Sequence, residues 1–259
     1  AAMDESLDAC RPQLSRDQHG EAEGHHRASE IAHDKDLPTM WENALYVGGS
    51  AGDDGVIEAD GLSVGAAVCW ELMRTQTVRR LAGRIDLALT GSGWWSFSQN
   101  WPLTDGLERA NRARAIKAAE EFALYVGAPV VHSAHCGELH CPMPWSPLRY
   151  RGRFEGGARV VDADGRVLAA RDRERGQGVV IAEVEPGRRP PHRSAPDRFW
   201  LHDRGAVAAF AWNYQRLHGR PWYRRNVAGR APRPARRAAI GEATSASTAS
   251  SASSASSAR

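Results

Sequence analysis

Three observations in the sequence predict an α/β fold. Short apolar runs at residues 62–69, 85–90 and 129–134 have the length and β-branched character of buried strands. Helix-length segments lie between them. Glycine or proline stands at the joints, at Gly83, Gly127 and Pro129. Strand and helix in alternation is the order of a sheet layered with helices.

Taken along the chain, residues 1–30 are polar and rich in Glu, His, Arg and Gln, which predicts a poorly ordered segment. Residues 31–55 read as a strand end and a loop, with Gly48-Gly49 and Asp53-Asp54-Gly55 as turn signals. Residues 62–69 form a buried strand, and residues 71–82 a helix that Gly83 closes. After the strand at 85–90, Asp105 caps a long helix to Val126, with Ala115, Ala118, Phe122 and Val126 on one face. Residues 129–134 make another strand, 158–163 and 167–170 a hairpin across Asp164-Gly165, and 178–184 a further strand. An Arg/Pro-rich linker at 186–196 precedes a short helix around 206–217. From residue 228 the chain turns Arg/Pro-rich and then Ser/Ala-repetitive, the composition of a disordered tail.

With 259 residues, 42% hydrophobic and 25% charged, the chain fits one globular domain with a real core. A net charge of +3 gives no argument for nucleic acid, and the arginines lack interleaved stacking aromatics. No apolar run approaches the ~18 residues of a membrane span, and the start of the sequence lacks a signal-peptide pattern. Cys10, Cys69, Cys136 and Cys141 show no framework spacing. The expectation is a protein of the reducing cytoplasm.

Chemistry concentrates in two segments. In Gly65-Ala66-Ala67-Val68-Cys69-Trp70-Glu71 an apolar run ends in a cysteine and then turns helix-like. That order places a thiol at a strand-to-helix corner, where a helix dipole favours the thiolate. Upstream, Lys35 stands just before Leu37-Pro38, and Glu42 follows at short range. The lysine is notable because Lys35 and Lys117 are the only two in a chain that otherwise carries positive charge on arginine.

Together these segments resemble the carbon-nitrogen hydrolase superfamily of nitrilases and aliphatic amidases. The resemblance runs over residues 31–227, the expected catalytic domain. Lys35 matches the catalytic lysine, Glu42 the supporting glutamate and Cys69 the nucleophile within a Cys-aromatic-acid signature. Trp94-Trp95 matches an aromatic pair after the next core strand, and residues 127–132 a later core strand. The resemblance implies a four-layer α-β-β-α sandwich and no cofactor. It implies hydrolysis of an amide or nitrile through a cysteine thioester. Lys35 and the Trp70 N–H would hold the oxyanion, and Trp94, Trp95 and His135 would line the substrate pocket, with Trp41 and Tyr46 as further candidates. A homodimer or larger homo-oligomer is implied by the aromatic arm at 199–223.

One departure from the family pattern stands out. The general-base glutamate belongs at the end of an early apolar strand, and no acid before Lys35 has that setting, so the opening strand and helix are expected to be missing. An alternative is therefore a catalytically silent relative that binds an amide-like ligand or serves as a subunit. Two other motifs carry less. Gly61-Leu62-Ser63-Val64-Gly65 matches the serine-hydrolase elbow, but its strand follows the serine instead of preceding it. The stretch from His132 to Cys141 holds soft ligands without standard zinc spacing, and a pocket wall is the better expectation than a metal site.

Overall fold

The computed structural model describes residues 33–49, 54–102, 104–142, 147, 149–202 and 205–228; the expectations for residues 1–30 and for the tail lie outside the described residues. The α/β class is as the sequence predicts. Six strands form one sheet in the order β1-β2-β3-β4-β7-β8. They are β1 (Val56–Ala59), β2 (Leu62–Val68), β3 (Leu87–Ser92), β4 (Val130–Ala134), β7 (Gly156–Val161) and β8 (Val167–Asp172). The central β2, β3 and β4 are parallel, with Val64 opposite Leu87 and Leu89 opposite Val131. Their sequences are mostly apolar, and along them buried positions are interspersed with more open ones, Val68 and Leu89 among the exposed. The outer strands β1, β7 and β8 add antiparallel. A separate two-stranded hairpin pairs β5 (Glu138–Pro142) with β6 (Arg149–Arg153).

Helix α1 (Thr75–Leu81) joins β2 to β3, and α2 (Asp105–Val126) joins β3 to β4. The buried face of α2 is built mostly from alanine, at Ala115, Ala118, Ala119 and Ala123, around a fully buried Phe122. Small side chains let this helix lie close on β4 and β7. The helix stops at Gly127, whose φ of 71° is the left-handed conformation of a C-terminal cap; its N–H bonds the Ala123 carbonyl at 2.9 Å. At its start the capping position falls to Thr104, with Asp105 as the first helical residue.

Three expectations need correction. The helix at 71–82 is split into a 3-10 turn, Cys69–Met73, and the α-helix from Thr75. The break at Arg74 is extended because the chain at 199–201 pairs with it. The Thr75 N–H bonds the Phe199 carbonyl at 3.1 Å, and the Leu201 N–H the Met73 carbonyl at 2.9 Å. Residues 178–184, read as a further strand, form none: among the described residues no strand pairs with them, and Val179 and Ile181 are 80% and 85% exposed. An apolar run becomes a strand only where a neighbour offers a ladder. The short helix at 206–217 is the longer α3 (Gly205–Asn226), which continues through Pro221. It lies on the 3-10 turn Met40–Ala44, where a Cβ on Gly219 would come within 2.8 Å of the Asn43 Cβ. Contact that close explains the glycine and presses α3 onto the segment that carries Glu42.

Candidate active site

Cys69 follows the last residue of β2 and has a φ of 58°. A side chain in the left-handed region costs about 1–2 kcal/mol, so the surrounding structure must hold it there. The turn aims the sulfur back toward the end of β3. Backbone N–H groups of Gly93 and Trp70 point at it. The residue is 7% exposed. Burial pushes the thiol pKa up and the charge of Glu42 pushes the same way. The Lys35 ammonium and the two N–H groups pull it down, and burial wins. The resting thiol therefore keeps its proton at neutral pH.

The 3-10 turn at Cys69 is five residues long and ends before α1 begins. A long helix dipole therefore does not start at the sulfur, as the sequence reading had it; the local N–H donors take that part. The Gly93 donor was missed from sequence. The signal for it was a glycine just past the parallel strand adjoining β2, where backbone can approach without a Cβ.

Lys35 and Glu42 come together beside the thiol. The ammonium donates to Glu42 Oε2 at 2.5 Å and to Thr39 Oγ1 at 2.7 Å. The lysine side chain is 7% exposed. Thr39 and Glu42 are set by a reciprocal cap: the Thr39 N–H donates to Glu42 Oε2, and the Glu42 N–H to the Thr39 carbonyl. Pro38 suits this entry because the turn starts immediately after it. The Tyr46 hydroxyl also bonds Glu42, and burial, followed by this carboxylate, drives the phenol pKa far upward. Tyr46 thus stays protonated, and its O–H donates to Glu42.

The predicted pocket residues separate. Trp94 is a core residue, 9% exposed, with its indole N–H on Asn111 Oδ1 at 2.8 Å. Trp95 is half-buried, its backbone bridged to Phe154. His135 lies at the end of β4 against Phe154, with a ring-centroid separation of 5.4 Å, and its Nδ1 is 3.5 Å from where a Cβ on Gly93 would stand. It is therefore next door to a donor that faces the sulfur. Among the described residues no group of His, Cys, Asp and Glu is arranged to hold a metal. Ser63, the centre of the elbow-like motif, sits in the β1–β2 hairpin and donates to Glu58 at 2.8 Å.

His132 is buried on β4, bracketed by Thr90 Oγ at 2.8 Å and Ser92 Oγ at 3.1 Å. Burial, and after it the nearby Arg159 charge, lower its pKa from 6.5 to about 4. The unfolded chain binds this proton at higher pH than the folded one. Stability from the neutral ring is thus full above 6.5 and is lost as pH falls through 4. The loss should total roughly 2–4 kcal/mol. Thermal melts at pH 7 and pH 4.5 should show a larger drop for the natural protein than for His132→Asn; equal drops would remove His132 as the cause.

Residues 13–190 match the family of carbon-nitrogen hydrolases, more than half of the chain. No curated protein matches. Among solved structures, a carbon-nitrogen hydrolase from Helicobacter pylori G27 is similar at 17% identity and a TM-score of 0.43, over 54% of this chain and 46% of that one. An amidase from Nesterenkonia sp. AN1, with the acetamide moiety of fluoroacetamide on its active-site cysteine, is similar at 23% identity and a TM-score of 0.30, over 56% and 43%. A CN-hydrolase superfamily protein from Xanthomonas campestris aligns at 16% identity and a TM-score of 0.32, over 52% and 43%. The chain spans somewhat less than half the length of these structures. On the extent of the family match, the chain belongs to the carbon-nitrogen hydrolase family.

Proposed function

We propose that this protein hydrolyses a non-peptide carbon-nitrogen bond of a small molecule, an amide or by the same residues a nitrile, through a thioester on Cys69. The observation that carries this reading is a strained, buried thiol that faces two N–H donors and a lysine-glutamate pair. With an amide, Sγ attacks the carbonyl carbon and the thiol proton passes to a carboxylate; Glu42 is the acid that the site offers. The oxyanion that forms takes hydrogen bonds from Lys35 Nζ and the Trp70 N–H. The proton then goes to the departing ammonia as the carbon-nitrogen bond breaks. Water adds to the thioester and gives its proton back through the carboxylate, which releases the acid and restores the thiol. Half-buried Trp95 and exposed His135 would contact the acyl group, whereas Trp94 packs in the core.

A mechanism that needs a free thiol fits a reducing compartment such as the cytoplasm. Phe210, Tyr214 and Leu217, exposed along α3, fit a homo-oligomer contact. The test is a panel of short amides and nitriles assayed for ammonia, with intact mass recorded in parallel. An acyl adduct on Cys69 and ammonia release are expected together; ammonia without Cys69, or neither signal from any compound, would sink the reading.

A further inference from the structure

Glu71 is fully buried, two residues past the thiol. Its Oε2 accepts from the Val68 N–H at 2.7 Å and from His33 Nε2 at 3.0 Å. Its Oε1 accepts from the Asp36 N–H at 2.9 Å. Val68 immediately precedes Cys69, and His33 and Asp36 bracket Lys35. One carboxylate therefore ties the end of β2 to the chain on both sides of the lysine.

We propose that Glu71 is a positioning residue that keeps Lys35 in register with Cys69 by fastening the lysine segment to the turn that presents the thiol. The inference rests on the reading of Lys35 and Cys69 as the reactive pair. Among the described residues a second tie, from the Asp36 side chain, runs beside this one. Lys35 is far along its segment from β1, and its own carbonyl is held by the Gly49 N–H at 2.8 Å, within the same loop. The Asp36 side chain pairs with Arg74 and, at 3.8 Å, with Arg80, which anchors the segment to α1 and its approach without reaching the thiol turn's strand end. Only a carboxylate suits the position. Three donors converge on two acceptor oxygens, and an amide would turn N–H groups toward at least one of them. Burial opposes ionisation of Glu71, but the bonds from His33, Asp36 and Val68 hold its pKa down at about 2, so it is charged throughout the neutral range.

The sign of one measurement separates positioning from plain electrostatics. Charged and titratable groups facing Glu71 are His33, Asp36 and, beyond it, Arg74 and Arg80; those facing Cys69 are Lys35, Glu42 and Tyr46. Removing the negative charge of Glu71 would by itself lower the thiol pKa. Releasing Lys35 would raise it. The experiment is the pH dependence of alkylation by iodoacetamide, with the Cys69 peptide followed by mass spectrometry. Lys35→Ala should move the midpoint up by about one pH unit. Glu71→Gln should move it in the same direction, by at least about half as much, and should add nothing in the Lys35→Ala background.

A midpoint that stays or falls in Glu71→Gln, or an equal rise with and without Lys35, overturns the inference. Should Glu71→Gln fail to fold, His33→Ala cuts one of the three ties and should give a smaller rise that vanishes with Lys35→Ala; no rise overturns the inference equally. A Cys69 that resists alkylation in the natural protein, or a profile indifferent to Lys35→Ala, overturns the active-site reading and this inference with it. A profile that responds to Lys35→Ala but not to Glu71→Gln or His33→Ala overturns the inference alone.

Discussion

Cys69→Ala is expected to abolish both acyl-adduct formation and ammonia release, by about 10⁴-fold or more, since it removes the atom that forms the covalent intermediate. The fold should survive. Alanine is close in size to cysteine, so the cavity left is small. The backbone at φ 58° strains alanine no more than cysteine, since both carry a Cβ. A melting temperature within a few degrees of the natural protein, with no adduct after incubation with an amide, is the expected pair of results. Cys69→Ser is the stricter companion. It keeps a nucleophilic atom and the geometry, but a hydroxyl ionises far less readily than a thiol, and the burial that already raises the thiol pKa would hinder it further. Undiminished ammonia release from either variant would place the chemistry elsewhere.

The second large effect is expected of Lys35→Arg, which should lose about 10²–10³-fold in turnover, nearly as much as Lys35→Ala. The ammonium reaches Thr39 Oγ1 and Glu42 Oε2 together from a side chain only 7% exposed. A guanidinium keeps the charge but is planar and longer. It would satisfy Glu42 from a different direction and crowd the space where the oxyanion forms. Single-turnover acylation should therefore fall with little change in substrate affinity. Recovery of most of the rate with arginine would show that the site needs a positive charge and no particular donor geometry.

How much of this was legible beforehand depends on the range of the interaction concerned. Strands β2, β3 and β4 and helix α2 were readable because each carries its own signal: a continuous apolar run, or an alanine-lined face ended by Gly127. The meeting of Cys69, Lys35 and Glu42 was expected on motif resemblance, and the geometry brings those three side chains together. Which ring of the Trp94-Trp95 pair is buried was not legible, because an aromatic pair says nothing about which ring faces the core; Trp94 is the buried one, bonded to Asn111 of α2. The hairpin of β5 and β6 was missed because its strands are mostly polar, with Tyr150 and Gly152 the buried positions of β6.

By itself the sequence determined the α/β class and the order of the parallel strands and helices along the chain, which follow from periodicity and turn residues acting over a few neighbouring positions. The candidate site residues came from motif resemblance. The tertiary structure decided what depends on chain segments far apart. Pairing of 199–201 with 73–75 broke a helix that local propensity favoured, and the absence of a partner among the described residues left 178–184 without a ladder. Glu71 gained its place only when residues 33, 36 and 68 were folded around it. Hydrogen-bond partners and buried charges of this kind cannot be read from spacing, because the groups that satisfy them are brought together by the fold and not by the chain.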